Sequence, residues 1–426
     1  MVDIIPFKGI TYNIDKIKKL ELVLVPPYDV ITTKMQRVYY DRHPYNIIRI
    51  IYGKDYPDDN VNNNKYTRAK EHFQRWQKEG IFIRSKKPLL YLYKQTYYIN
   101  NKRRTRSGII ALVRIEEYNS GKILPHEETF ESPKEDRLKL IKECGANFSQ
   151  IFSLYSDPSN RIITLLEKSS IGSPFIELFY DKVEHRLWEI DDPLTIDITV
   201  RLMKDKNIVI ADGHHRYEAA LNYRNFMRKV HKEDYRDSMF NYTMMYLSNI
   251  YDEGLTILPT HRIISNIYNN CNFLDKIKEY FDIKVVKNEE VLEKNLLKER
   301  EHTFGIVYNK FYYVIKLKNY NIIDNILSDI NPLLKKLDVT ILHSLIIKKL
   351  LNIKEDDISY TKDSKEAIDI ALKDNTKIAI ILNPINPLYI MDIARANLRM
   401  PHKATFFYPK LLTGLVINSI NSNYDK

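Results

Sequence analysis

An α/β protein of two domains is the architecture this sequence predicts, and three observations predict it. The run Ile208-Val209-Ile210-Ala211 is apolar and strand-like, breaks at Asp212-Gly213, and passes into good helix formers from Arg216 to about Val230. Pro88–Gln95 and Arg106–Glu116 read as two strands with a polar, turn-like Tyr97–Thr105 between them, so a hairpin is expected. Beyond Tyr251 short strand-like and helix-like segments alternate, which fits a mixed α/β second domain. The expected domains are residues 1–250 and 251–426, with the boundary near 245–265.

The chain has 426 residues, enough for two or three domains with cores of their own. Hydrophobic residues make up 44%, with a mean hydropathy of −0.40, as in soluble globular chains. No stretch approaches the ~18 uninterrupted apolar residues of a membrane span. The start, Met1 to Pro6, lacks the basic flank and apolar run of a secretory signal. Two cysteines, Cys144 and Cys271, are too few for a disulfide framework or a thiolate metal cage, and a reducing, cytoplasmic setting is expected. The net charge of +11, from 66 Lys and Arg against 55 Asp and Glu, permits an anionic partner. The basic residues are scattered, however, which reads as a solvated surface and argues against nucleic acid as a partner.

Along the chain, Ile47–Tyr52 is an apolar, strand-like run and Asp55–Lys65 an asparagine-rich loop. Tyr66–Glu79 follows as a helix with Ala69, Phe73 and Trp76 at near-helical spacing. Pro133–Gly145 reads as a helix, with Ser132 as N-cap and Pro133 at the first helical position. In the second half, Phe273–Tyr280, Glu289–Lys298, Ile330–Leu351, Ser364–Lys373 and Leu388–Leu398 read as helices. Ile283–Val286, Thr303–Tyr308, Phe311–Leu317, Ile358–Tyr360, Lys377–Leu382 and Ala404–Tyr408 read as strands.

Chemistry concentrates at Asp212-Gly213-His214-His215-Arg216. A strand that turns into a helix here aims backbone N–H groups and cationic side chains at one spot, which suits a phosphate. Gly213 allows a left-handed backbone. Asp212 could cap the helix, orient a histidine or hold Mg²⁺. His214 and His215 are adjacent, so at most one faces a ligand squarely. Arg216 could clamp phosphate oxygens through its planar fork. A helix N-terminus whose polar residues only bond locally is the plainer alternative.

Pro125-His126-Glu127-Glu128-Thr129 places two carboxylates beside a histidine, the makings of a general base for an attacking alcohol. Glu127 is favoured over Glu128, with His126 beside it. Lys134 and Arg137 share a helical face and could form a second cationic clamp, or an ordinary ion-pair surface. Asp29, Asn46 and Arg49 sit in loops next to apolar runs, where substrate-positioning groups often lie. His261, Arg262 and Lys403, with Lys410, are candidate anion contacts from the second domain. The Walker, dinucleotide-binding, protein-kinase and nucleophile-elbow motifs are all lacking. No metal ligands have helical or zinc spacing, so no protein metal site is expected and Mg²⁺ would arrive with the phosphates.

The segment Ala211-Asp212-Gly213-His214-His215-Arg216-Tyr217-Glu218-Ala219-Ala220 resembles the hallmark of a broad prokaryotic family known only as a domain of unknown function. Pro26-Pro27-Tyr28-Asp29, His43-Pro44-Tyr45-Asn46, Pro125-His126-Glu127-Glu128-Thr129, Leu258-Pro259-Thr260-His261-Arg262 and Met400-Pro401-His402-Lys403 resemble it too. The Asp-Gly-x-His-Arg pattern before an alanine-rich helix is also similar to the box of ParB-like proteins, sulfiredoxins and free serine kinases. The resemblance implies a ParB/sulfiredoxin-like first domain that grips phosphates. His214 stands where sulfiredoxins carry their reactive cysteine, so sulfinic acid reduction lacks its nucleophile here. The free serine kinases come nearest. They imply phosphoryl transfer from ATP, ADP or pyrophosphate to a metabolite hydroxyl, with L-serine as acceptor and Asp212, His215 and Arg216 lining the site. The alternatives are a nucleotide-gated DNA-binding protein of the ParB kind, and a phosphohydrolase or metabolite sensor using the same pocket.

Overall fold

The computed structural model describes residues 2–127, 131–231, 238–265, 267, 273–299, 301–401 and 403–420. It is a mixed α/β protein that divides into two compact units. The first comprises Met1–Pro125, Thr129–Thr256 and Pro409–Lys426; the second comprises His126–Glu128 and Ile257–Tyr408. This division differs from two contiguous spans, because the end of the chain returns to the first unit.

The first unit is built on a nine-stranded sheet. Its order is Ile123–Pro125, Ile208–Asp212, Ile151–Tyr155, Tyr242–Asn249, Lys102–Arg114, Leu90–Ile99, Val183–Ile190 and Ile176–Tyr180, with Ile4–Ile5 paired to Lys102–Arg114. Two pairs are parallel. Ile208–Asp212 runs alongside Ile123–Pro125, and Tyr242–Asn249 alongside Ile151–Tyr155. In the first of these, Ile210 pairs with Pro125, so both strands end at the same edge.

The expected hairpin forms, with longer strands and a shorter turn. Tyr91–Ile99 pairs with Lys102–Ile110, and only Asn100 and Asn101 turn, with φ of 50° and 60°. Asparagine tolerates this left-handed backbone, and such turns match the twist of the strands. The polar residues of Tyr97–Thr105 looked like a loop but form the exposed end of a ladder.

Alternate strand residues, among them Leu90, Leu92, Ile109, Ala111, Ile208, Ile210, Met245 and Leu247, face one core. Ile162, Ile163 and Leu166 of the helix Arg161–Ser169, and Met203 of Pro193–Lys204, cover it. Tyr217, Ala220 and Leu221 seat the helix His214–Val230 on the same core.

Three local readings are corrected. Ile47–Tyr52 is not a strand: Ile48–Ile51 is a helical turn, started by Asn46, whose Oδ1 accepts the Ile48 N–H at 2.9 Å. The helix Lys65–Lys78 begins one residue earlier than expected because Asn64 caps it, accepting the N–H groups of Tyr66 and Thr67. The helix Glu131–Cys144 also starts early, so Ser132 lies inside its first turn and is not its cap.

The second unit has a six-stranded antiparallel sheet. Its order is Phe281–Val286, Phe311–Leu317, Thr303–Tyr308, Ile378–Ile381, His261–Ile264 and Ile358–Thr361. One face packs Phe304, Ile306, Ile315 and Ile380 against Leu342, Leu345 and Ile346; the other packs Val307, Ala379 and Ile381 against Leu292, Ala367 and Ile368. The stretch Ile330–Leu351 breaks into Pro332–Lys335, Asp338–Ile341 and a wider π-helical turn at Leu342–Leu351. Among the described residues no helix is long and apolar enough to cross a membrane.

Candidate functional site

In the first unit, the strand Ile208–Asp212 delivers its last side chain to the sheet edge, and Gly213 turns the chain with φ 96° into the helix His214–Val230. A Cβ at Gly213 would sit 2.7 Å from Nε and Nη2 of Arg216, so both the backbone angle and the space call for glycine. Arg216 lies folded under its own turn. Its Nη2 donates to Asp212 Oδ2 at 2.9 Å, and its Nη1 donates to Gln150 O at 2.5 Å and Ser149 Oγ at 3.2 Å. Lys410 donates to the other oxygen, Asp212 Oδ1, at 2.7 Å. Burial pushes the Asp212 carboxyl up, but Lys410 and Arg216 outweigh it and hold the group well below the usual carboxylate range.

These contacts change the expected part of Arg216. Its guanidinium braces the turn from within, where the sequence suggested an outward phosphate clamp. His214 is buried and also favours the charged form of Asp212; His215 is only partly buried. The adjacent histidines thus differ in burial. Both oxygens of Asp212 are already engaged. Among the described residues no group of three or more His, Cys, Asp or Glu could hold a metal.

Arg137 joins this neighbourhood. Its guanidinium lies 3.9 Å from the centre of the Tyr28 ring and its Nε donates to Asp136 at 2.9 Å. Burial raises the Tyr28 hydroxyl to about 12, opposed by Arg137 and Arg216 and helped by the neighbouring, exposed Asp29. Arg137, Ser149 and Arg216 line a void of about 50 Å³, room for a water or two and far below the several hundred Å³ of a nucleoside pocket. Lys134 pairs with Glu131 at 2.7 Å and Glu218 at 3.4 Å, so Lys134 and Arg137 each face carboxylates and do not act as one open clamp.

Asn46 and Arg49 hold the backbone. Asn46 Nδ2 donates to Leu22 O at 2.7 Å; Arg49 donates to Pro44 O at 2.9 Å and Tyr40 O at 2.7 Å and stacks on the Tyr40 ring. No substrate contact is needed to explain either residue.

The remaining candidates belong to the second unit. Glu127 pairs through its backbone with Met400, and its Oε1 accepts from Thr405 Oγ1 at 3.3 Å. His126 is fully buried, with Nε2 3.2 Å from Thr405 Oγ1 and 3.9 Å from Glu127 Oε1. Glu128 lies outside the described residues. His261 is buried, and its Nδ1 accepts the Leu382 N–H at 3.2 Å; burial pushes its pKa down to about 4. Arg262 is buried on the strand next to the sheet's edge strand Ile358–Thr361, and burial lowers even its pKa to about 10. Lys403 is exposed and touches Arg262 through its carbonyl, not its ammonium.

Sequence reasoning missed Ser149 and Gln150, which carry no motif, and put Lys410 in the wrong unit. The only sequence signal for the first two is their position just before the apolar strand Ile151–Tyr155.

The site is thus a strand–glycine–helix turn on a mixed α/β scaffold, internally braced by an aspartate, an arginine and a distant lysine. The chain belongs to the family described as Protein of unknown function (DUF1015), whose model matches residues 4–340. No curated protein matches the sequence. Among solved structures it is similar to a free serine kinase variant in complex with AMP, at 12% identity and a TM-score of 0.34, over 70% of this chain and 87% of that one. It is similar to a conserved hypothetical protein from Pyrococcus furiosus, at 12% identity and 0.33, over 71% and 92%. It is also similar to C-terminally truncated SbnI from Staphylococcus aureus, at 8% identity and 0.35, over 71% and 85%. A likeness at these scores assigns no reaction.

Proposed function

We propose that this chain is a small-molecule kinase that moves a phosphoryl group from ATP, ADP or pyrophosphate to a metabolite hydroxyl, with free L-serine as the first acceptor to test. The observation that carries the reading is the braced turn at Asp212–Arg216. It rigidly presents the N-terminus of a 17-residue helix, with His215 in its first turn. A preorganised helix N-terminus and adjacent cations stabilise the charge on a transferring phosphoryl group without reorganisation. Arg216 and Lys410 are positioning residues in this scheme, because both reach the turn through Asp212.

In the reaction, the acceptor oxygen bonds to phosphorus as the bond to the donor's bridging oxygen breaks. The leaving group, which is ADP, AMP or phosphate according to the donor, keeps the electron pair, and a carboxylate accepts the hydroxyl proton. We assign that base to Glu127. Within its own unit its side chain keeps 19% of its surface exposed, and the Thr405 hydroxyl orients it. Mg²⁺ carried by the donor is left to the donor's own oxygens.

Glu127→Gln keeps the shape and removes the base. We expect turnover to fall about 10²- to 10⁴-fold with donor binding retained in equilibrium titration. Full turnover by this variant rejects Glu127 as base. If the parent chain binds the donor without consuming it in the presence of any hydroxyl acceptor, the turn is a binding element and the kinase reading is wrong.

A further inference from the structure

The second unit carries an open cavity of about 470 Å³ that phosphoryl transfer at the 212–216 turn does not use. Its size falls within the range of small-molecule sites, roughly 300–1,000 Å³. Leu297, Leu337, Val339 and Leu382 give it apolar walls; Arg262 supplies a buried cation and Lys336 an exposed one.

Arg262 is the unusual member. It is 1% exposed, on the strand His261–Ile264. Its Nη1 donates to Thr260 O, its Nη2 to Lys403 O at 3.2 Å and its Nε to His343 Nε2 at 3.2 Å. All three acceptors are neutral, or become so in accepting. A guanidinium has five N–H bonds, so two remain. Among the described residues no carboxylate forms an ion pair with it; Tyr360 and then Glu355 favour its charged form, less than burial opposes it. Burying a charge without a counter-charge is costly.

The acidic groups on the cavity wall do not relieve this cost. Asp338 accepts the His302 N–H at 2.9 Å and lies 3.0 Å from its Nδ1, while Glu301 sits at the exposed rim. Asn386 lines the cavity and caps the helix Pro387–Arg395, so the positive end of that helix adds to the field.

We infer that this cavity binds a small organic anion: a carboxylate or phosphate head on the two remaining N–H bonds of Arg262, and an apolar body against the leucine and valine walls. The inference does not rest on the kinase reading. An anion in place completes the hydrogen bonding of Arg262 and supplies its missing counter-charge, and charge-assisted bonds of this kind are the strong ones.

Titration calorimetry of the full chain with benzoate, phenyl phosphate and neutral benzamide tests it. We expect one or both anions to bind at least roughly tenfold more tightly than benzamide, a difference that a charge-assisted bond supplies. The stronger of the two identifies the head group. Arg262→Gln and Ile385→Trp should each abolish the binding. The second keeps the arginine and fills the cavity from a half-buried loop position, so it decides the matter if the first does not fold. Arg186→Lys, a surface change in the other unit, should leave it unchanged. Equal affinity for benzamide, no anion binding up to about millimolar concentration, retained binding in Ile385→Trp, or loss in Arg186→Lys would each overturn the inference.

Discussion

Gly213 is asked for two things at once, a backbone near φ 96° and no side chain 2.7 Å from the Arg216 guanidinium. Gly213→Ala should cost about 1–2 kcal/mol for the backbone angle alone, and more for displacing Arg216 from Asp212. We expect lower thermal stability together with weakened phosphate binding. Unchanged binding in a destabilised variant would separate the turn from the ligand. His261 offers a second residue-scale test. The unfolded chain takes up its proton near the ordinary value of about 6.5, the folded chain only near about 4. The unfolded state therefore gains protons first as pH falls, and the stability present above about 6.5 is lost toward 4. Asp212 acts in the same direction at lower pH, since its carboxyl is depressed and its contribution disappears only as it protonates. His261→Asn keeps an acceptor for the Leu382 N–H and cannot titrate. Urea midpoints across that window should fall less steeply with acid than in the parent, and an identical slope would remove His261 from the explanation.

At the scale of elements, the final segment has more work than its sequence suggests. Ile417 bonds through its backbone to Ile10, Asn418–Ser419 pairs with Ala146–Asn147, and the Pro409 carbonyl accepts from the buried Arg106. Leu411, Leu412, Leu415, Val416 and Ile417 are all buried, each contributing roughly 1.5–3 kcal/mol before the entropy of ordering the chain. A chain ending at Tyr408 should therefore lose cooperative folding of the first unit, followed by the near-ultraviolet signal of its tyrosines. A cooperative transition at the parent's temperature would contradict this role. None of it was legible in the sequence, because a short apolar tail says nothing about where it pairs. The strands Thr303–Tyr308 and Phe311–Leu317 and the helix Ser364–Lys373 were legible to the residue, since their apolar period and turn residues are local signals. Ile48–Ile51 was not, because four apolar residues fit strand or helix equally and a side chain from Asn46 decides it. At the site, the sequence exposed Asp212, Gly213 and Arg216 as a cluster. It could not show that Arg216 turns inward, since that depends on the carbonyl of Gln150 and on Lys410, 198 residues from Asp212.

Of the whole molecule, one unit carries the braced turn and the other carries Glu127 and the Arg262 cavity. Its charge of +11 is spread along the sequence and not gathered in one run, so we expect at most weak retention on duplex DNA, abolished by modest salt. Tight, sequence-selective retention would favour a nucleotide-gated DNA-binding protein. The most direct test of phosphoryl transfer is ³¹P NMR of the purified chain with Mg²⁺ and L-serine, given ATP, ADP and pyrophosphate in turn. We expect a phosphoserine resonance to grow with one donor as that donor's signal declines, and to vanish in Glu127→Gln. Unchanged donor signals in all three mixtures, with serine and with other small hydroxyl metabolites, would contradict it.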